Sequence, residues 1–368
     1  MNLELTHVDK ERTIHCFIAG DKARQTAIEA ALLYHLPIYE TDRSRRTRIS
    51  VLFDSRDEVD DFVFEYKELF DNSFYRRVEI TGDNVATTLR RPQYYGQRMD
   101  FVDVEWQLIV GRLTSPVIQD KLVRWSRDSR RQLVIALCYD NRDLNARYAE
   151  RLSRRLPESV TVLIDDSTPA EEAEKLKEET ELAKYLNYCY AVSFDKGAIP
   201  AELPQDEVDA AWAALPDERM RRSSIHNVRT IPFKMLLLGH DRNDWETFYA
   251  LTAKEIDSLT AVEHNRWTVE RLIQGVRPCT DDERAEIEED FRRRGADRKY
   301  AQARPVTLKK QYARGRGAHF DLCAFPELGV DETGLPVTRY DRDLTEAIPL
   351  MVKTYIDRFT TTKMPEDE

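Results

Sequence analysis

Residues 14–53 have the sequence IHCFIAGDKARQTAIEAALLYHLPIYETDRSRRTRISVLF, in which two short apolar runs flank a helical pattern. The runs IHCFIA (14–19) and RISVLF (48–53) are largely apolar, as expected for strands that are buried on both faces of a sheet. Between them, apolar residues from Lys22 to Tyr34 recur at helical spacing. This strand–helix–strand order is typical of a mostly parallel sheet covered by helices.

The same alternation continues to about residue 166 and predicts a Rossmann-like α/β domain over residues 10–195. A long helix is expected to close this domain after Thr168, because Pro169 and the acidic residues that follow it favour a helix start. The other predicted strands are RVEI (77–80), VDVEWQLIV (102–110), LVIALCY (133–139) and VTVLID (160–165). The other predicted helices cover residues 58–70, 116–127 and 144–156.

The second half of the chain has a different pattern. Prolines at positions 200, 204 and 216 interrupt the chain after Gly197, and we predict a helical linker over residues 196–250. Helical patterns cover residues 218–239 and 251–275, so a mainly α-helical domain is expected over residues 251–360.

Composition excludes several classes of protein. With 41% apolar and 33% charged residues the chain is not a fully disordered one, and its net charge of −11 argues against a broad nucleic-acid surface. No apolar run approaches the roughly 20 residues of a membrane-spanning helix, and we expect a cytoplasmic protein. The five cysteines are widely spaced without a CxxC pair, which indicates buried free thiols and no metal site.

Known catalytic and nucleotide-binding motifs are missing. The turn after the first strand, IAGDKARQTA, holds Gly20 alone where a dinucleotide-binding fold carries GxGxxG, and Asp21 would repel a phosphate. We therefore expect no NAD in the usual pyrophosphate mode and no bound cofactor. No GxxxxGK[ST], GxSxG or HExxH motif occurs. The basic aromatic segment LRRPQYYGQR (89–98) is either a solvated loop or a nucleotide contact.

The segment KEIDSLTAVEHNRWTVERLIQG (254–275) carries the strongest functional signal. On a helix its apolar residues fill one broad arc, and Glu263, Arg266 and Glu270 fall inside that arc at spacings of three and four. One interpretation is a buried Glu–Arg cluster that holds the helix against its neighbours. The other is a pocket in which Arg266 and Trp267 bind a planar anion, extended by His264 and Arg271.

This segment also resembles a known family. EHNRWTVERLIQG (263–275) is similar to the opening helix of the ryanodine receptor repeat domain, whose bacterial versions carry an E-H-x-R-W core. AHFDLCAFPEL (318–328) and TRYDRDLTEAIPLMV (338–352) resemble later blocks of the same repeat. The upstream run MRRSSIHNVRTIPFKMLLLG (220–239) resembles the linker of bacterial proteins that join a Rossmann-like domain, akin to regulatory domains of potassium transport, to such a repeat.

Two departures from the family pattern matter. The family has G-W after its first helix, where this chain has Gly275, Val276 and Arg277, so one stacking aromatic residue is missing. The insertion between the first two matched blocks is long, and its last part is a cationic segment with Lys310, Arg314 and Arg316. This segment is either an idle basic loop or a phosphate-binding one.

The resemblance implies a ligand-binding module linked to nucleotide signalling, including antiviral defence, and implies no reaction. We expect a sensor that binds a nucleotide or cyclic nucleotide and acts through its Rossmann-like domain or by forming a homo-oligomer. The alternatives are an enzyme using carboxylates such as Asp54, Asp57, Asp165 and Asp166, or a partner of a membrane effector. The candidate ligand-binding residues are Glu263, His264, Arg266, Trp267, Arg271, Lys310, Arg314, Arg316, His319, Asp321, Tyr340 and Arg342.

Overall fold

The N-terminal half of the chain is built on a seven-stranded sheet. The computed structural model describes residues 2–93, 100–240, 250–286, 289, 317–329 and 336–359. The strands of the sheet are β1 (Thr13–Ala19), β2 (Thr47–Phe53), β3 (Phe74–Thr81), β4 (Asn84–Arg90), β5 (Val104–Val110), β6 (Arg131–Leu137) and β7 (Thr161–Ile164). The predicted α/β fold with a mostly parallel sheet is confirmed.

The strand order is β4-β3-β5-β2-β1-β6-β7, and every neighbouring pair is parallel except the β3–β4 hairpin. Strand β1 lies centrally, with Cys16 opposite Ile49 of β2 on one side and Val134 of β6 on the other. After β5 the chain passes to the far side of β1, so the order of strands reverses between β1 and β6. Open α/β sheets usually bind their ligands at the carboxyl ends of the strands at such a point.

Helices cover both faces of the sheet. They are α1 (Ala23–Leu33), α2 (Ile38–Thr41), α3 (Arg56–Glu65), α4 (Lys67–Asp71), α5 (Pro116–Ser126) and α6 (Arg142–Ser153). On one face Ile14, Cys16 and Ile18 of β1 belong to a core that includes side chains of α1, α3 and α4; on the other, Phe17 and Ala19 pack in a core with α5 and α6. This alternation follows from the two-residue period of a strand.

The second half of the described chain is mainly helical and has its own core. A capping box at Thr168 and Glu171 starts the long helix α7, and Gly197 ends it in the left-handed conformation. The helices are α7 (Pro169–Lys196), α8 (Gln205–Ala213), α9 (Glu218–Arg229), α10 (Ile231–Leu238), α11 (Ala253–Ile273), α12 (Arg339–Glu346) and α13 (Ile348–Phe359). The short strands β8 (Arg277–Pro278) and β9 (Ala318–His319) pair in parallel.

The sheet and part of the helical half share one hydrophobic core. Helix α11 packs against α1 and α4, and its Val262, Val269 and Leu272 belong to the same core as β1 and α1. Helix α10 contributes Phe233 to that core and Met235 to the helical one. The predicted boundary near residue 250 is therefore crossed by a continuous apolar core.

Several sequence predictions differ in detail from the structure. Strand β4 was not predicted, because all of its residues are exposed and no apolar run marks it. The helix expected over residues 58–70 is two helices, α3 and α4, and the one expected over 218–239 is divided into α9 and α10 by Pro232 at the start of α10. All five cysteines are free and buried, as predicted. None of the described helices is both long and apolar enough to cross a bilayer.

Candidate ligand-binding site

Helix α11 starts with a capping box, is exposed in its first turns and is almost wholly buried from Leu259 onward. The Thr252 hydroxyl accepts a hydrogen bond from the Glu255 backbone N–H, and the Glu255 carboxylate accepts one from the Thr252 N–H at 2.8 Å. From Leu259 to Leu272 only Trp267 and Arg271 are partly exposed. Between Leu259 and Leu272 the helix therefore lies in the interior and reaches the surface only at Trp267 and Arg271.

Arg266 lies at the centre of a buried ionic network. Its side chain is 2% exposed. The guanidinium donates through Nε and one terminal nitrogen to Glu263, the latter at 2.7 Å, and through the other terminal nitrogen to Glu270 at 2.9 Å. Burial would lower the pKa of Arg266, and the two carboxylates outweigh that effect and raise it. This geometry matches the first interpretation above, in which the cluster holds α11 in place, and Arg266 does not face a surface pocket.

Helices α9 and α10 complete this network. Lys234 of α10 is 1% exposed and donates to Glu263 at 2.9 Å, while Ser223 and His226 of α9 contact Glu270 at 2.7 and 3.0 Å. These partners were missed in the sequence. A signal for Lys234 existed, because a lysine within the apolar run IPFKMLLL (231–238) needs a buried carboxylate partner.

His264 is held between two acceptors. Its Nδ1 lies 3.3 Å from the Asp341 carboxylate and its Nε2 lies 2.9 Å from the carbonyl oxygen of Cys323. Burial alone would lower the pKa of His264, but the hydrogen bond and charge of Asp341 outweigh it, so the pKa is raised. Both ring nitrogens face acceptors, an arrangement that favours the imidazolium form, which donates from both.

With His264 charged, the buried charges around α11 balance. Three cations stand against three carboxylates in this part of the structure. The cations are Lys234, His264 and Arg266, and the carboxylates are Glu263, Glu270 and Asp341. A balanced set of this kind keeps several charges in the interior without an isolated one.

Trp267 and Arg271, the partly exposed residues in the second half of α11, form a cationic aromatic surface together with His319. We call these three residues the Trp267 surface. The rings of Trp267 and His319 meet edge to face, with centroids 4.9 Å apart. The Arg271 guanidinium lies 5.5 Å from the Trp267 ring, and His264 is stacked on that ring at 5.8 Å. Because His264 precedes Trp267 by three residues and Arg271 follows it by four, the two flank the ring along the helix.

Of the other candidate residues, only some lie near the Trp267 surface. The Asp321 backbone N–H donates to the His319 ring at 3.2 Å, so Asp321 adjoins the Trp267 surface. Tyr340 instead stacks on Phe194 of α7, and Arg342 donates to Asp257 and Glu346. Lys310, Arg314 and Arg316 of the cationic segment lie outside the described residues. The structure thus brings together Trp267, Arg271, His319 and Asp321 at the surface, with Glu263, His264 and Arg266 beneath.

Between β1 and β6, where the order of strands reverses, residues at the carboxyl ends of the strands make close contacts with one another. A Cβ atom at Gly20 would lie 2.3 Å from the carbonyl carbon of Cys138, so β1 and β6 approach closely at their carboxyl ends. Asp21 accepts a hydrogen bond from the Asp140 backbone N–H at 2.9 Å, and Lys22 pairs with the buried Asp165 at 2.8 Å. A pyrophosphate would have to displace both contacts.

The carboxylates of the enzymatic alternative follow two different strands, β2 and β7. Asp165 is engaged by Lys22, Asp57 lies in the first turn of α3, and the Asp54 backbone N–H donates to Glu58. No group of three or more His, Cys, Asp or Glu side chains that could hold a metal ion is present in the described ranges. No known protein family, curated protein or solved structure matches this chain.

Proposed function

We propose that the chain is a sensor that binds a nucleotide signal on the Trp267 surface. The observation that carries the proposal is the contrast along α11: the buried charges are paired with one another, whereas Trp267 and Arg271 reach the surface beside His319. A partly exposed aromatic ring next to a guanidinium is suited to a planar ligand that carries negative charge.

The arrangement suggests how such a ligand would bind. The Arg271 guanidinium lies over the Trp267 ring and donates to Gln274 at 2.8 Å. In our proposal a nucleobase takes the place of the guanidinium on the indole, and Arg271 turns to the phosphate. The cationic segment that contains Arg316 ends at Gly317, two residues before His319, and supplies further positive charge to the phosphate.

The shared core supports a way to relay binding. Helix α11 carries Trp267 on one side and packs with Val269 and Leu272 against the sheet domain on the other. A ligand that shifts α11 would therefore act on α1 through direct contacts. This is the sensor in which a C-terminal site controls an N-terminal α/β domain.

A thermal-shift screen of the whole chain against mono-, di- and cyclic nucleotides tests the proposal, because a ligand that binds only the folded state raises the melting temperature. We expect at least one nucleotide to raise it. Chromatography of the recovered ligand then separates a sensor, which returns it intact, from an enzyme. The proposal fails if no nucleotide shifts the melting temperature at millimolar concentration.

Variants of the surface locate the site. Trp267→Ala is expected to weaken binding by ten-fold or more, since stacking contributes about 1–3 kcal/mol per base, and Trp267→Phe should retain much of it. Arg271→Ala removes a phosphate partner, and Arg222→Ala, an exposed arginine on α9, is its matched control. Equal affinities for Arg271→Ala and Arg222→Ala would place the ligand elsewhere.

A further inference from the structure

A cleft lies between α1, α7, α9 and α13, and we call it the α7 cleft. Its volume is about 1030 Å³, which is large enough for a small organic ligand. Its lining includes Glu29 of α1, Glu178 of α7, His226 of α9 and Tyr355 of α13. None of these residues belongs to the Trp267 surface, so this cleft and the proposed nucleotide site are separate.

Charge in the α7 cleft is strongly negative. Seven carboxylates line it, against two permanent cations, Lys175 and Arg229, which leaves five negative charges. Both cations are already paired, Lys175 with Glu4 at 2.7 Å and Arg229 with Glu179 at 2.7 Å. Glu29 and Glu178 make no ion pair with any cation in the described part of the chain. A ligand with positive charge would relieve this excess.

His226 links the cleft wall to the buried network around α11. Its Nδ1 lies 3.0 Å from Glu270, whose pKa is lowered to about 2 because Arg266 and His226 outweigh its burial. With Glu270 ionised, Nδ1 is the donor of that contact. His226 is therefore held in place on the wall of the cleft by a carboxylate outside the cleft lining.

The inner part of the cleft is apolar. Leu32 and Val352 are buried, at 7% and 1% exposure, and Leu182 and Tyr355 are partly buried, whereas Glu178 is exposed. Burial, together with the charges of nearby carboxylates such as Glu178, raises the pKa of Tyr355 to about 12, so the hydroxyl stays neutral. The methylene groups of a ligand would therefore pack on the apolar wall inside the cleft, and its ammonium groups would lie beside the carboxylates near the opening.

We propose that the α7 cleft binds an alkyl polyamine, whose ammonium groups contact Glu29 and Glu178 and whose methylene segments pack on Leu32, Leu182 and Tyr355. A simple metal cation would satisfy the charge and leave the apolar wall unused, and the described residues contain no convergent metal-ligand group. The proposal does not depend on the nucleotide sensor, because the two sites share no residue.

Isothermal titration calorimetry of the full chain with spermine tests the site. We expect saturable binding at moderate salt, no binding of the uncharged analogue 1,4-butanediol, and no displacement of spermine by Mg²⁺ at equal ionic strength. Absence of spermine binding at millimolar concentration would overturn the proposal. Displacement by Mg²⁺ would overturn it as well, because it would reduce the cleft to a diffuse counter-ion region.

Charge-neutral variants provide the control. The double variant Glu29→Gln/Glu178→Gln leaves every described ion pair intact and is expected to weaken spermine binding at least ten-fold. Glu158→Gln makes the same change at an exposed position between α6 and β7, outside the cleft lining, and should alter affinity by less than two-fold. An equal loss in Glu158→Gln would contradict the proposal, since it would indicate general attraction to an acidic surface.

Discussion

Replacing Arg266 by methionine tests the reasoning about the buried network most directly. The change keeps the length and apolar stem of the side chain but removes the guanidinium, and Glu263 and Glu270 then lose their shared partner in the core. Removing one member of a buried ion pair costs about 3–5 kcal/mol of folding free energy. The pKa of Glu270 is lowered from 4.5 to about 2 by Arg266, His226 and Ser223 together, against the effect of its burial, and this net shift is of the same order, at about 3 kcal/mol.

Urea denaturation followed by circular dichroism at pH 7 measures this loss. The control is Arg222→Met, which alters an arginine on α9 that is 68% exposed and lies 4.0 Å from its carboxylate partner. That exposed pair contributes about 0–1 kcal/mol. A loss below about 1 kcal/mol for Arg266→Met would refute the assignment of Arg266 to a buried network.

The pH dependence provides a second test of the same variant. In the wild-type chain the pKa of Glu270 is lower in the folded state than in the unfolded state, so its contribution is present above about pH 4.5 and is lost as the pH falls toward 2. Without Arg266, burial dominates and raises the pKa of Glu270. The variant should therefore lose less stability than the wild type, or gain some, as the pH falls from 7 to 5, and an identical pH slope would contradict this account.

Three further outcomes follow from the structure. Gly20→Ala should lower the unfolding free energy by about 2 kcal/mol or more, since its Cβ would clash with the backbone at the end of β6. Gly111→Ala should be tolerated, because its Cβ would lie 3.6 Å from Cβ of Ile80, and differential scanning calorimetry compares the two variants. The raised pKa of His264 makes its contribution complete below about pH 6.5 and lost as the pH rises through the folded value, so His264→Gln should flatten the stability profile from pH 6 to 9 in urea titrations. Calorimetry should detect no NAD binding that depends on Lys22, because Lys22 is committed to Asp165; NAD binding abolished by Lys22→Ala would contradict this.

The sheet was predictable from sequence because its central strands are buried on both faces. A strand of this kind appears in the sequence as an apolar run, so it can be recognised without knowing which strands pair with it. Strands β1, β2, β5 and β6 are predicted in this way. Strand β4 exposes every residue and depends for its existence on the hairpin with β3, whose turn contains Gly82 at φ 60°. Its structure is set by pairing and not by apolar burial.

The network around α11 was predictable only where it is local. Glu263, Arg266 and Glu270 lie on one helix, and helical spacing alone places them together. The contact between His264 and Asp341 joins residues 77 positions apart, and no spacing rule indicates such a pairing. Whether Arg266 faces a pocket or the core depends on which side chains of α9 and α10 cover it. That packing cannot be read from the spacing of residues along α11.

The apolar core that passes from the sheet into α11 has a practical consequence for dissecting the molecule. Val262, Val269 and Leu272 on one fragment and Ala27 and Ala30 on the other would be left in water if the two halves were produced separately. Each fragment would then be prone to aggregation. A single cleavage between His240 and Ala250 leaves all the described members of that core in the two fragments, so the nicked chain should elute as one particle and fall apart only on denaturation.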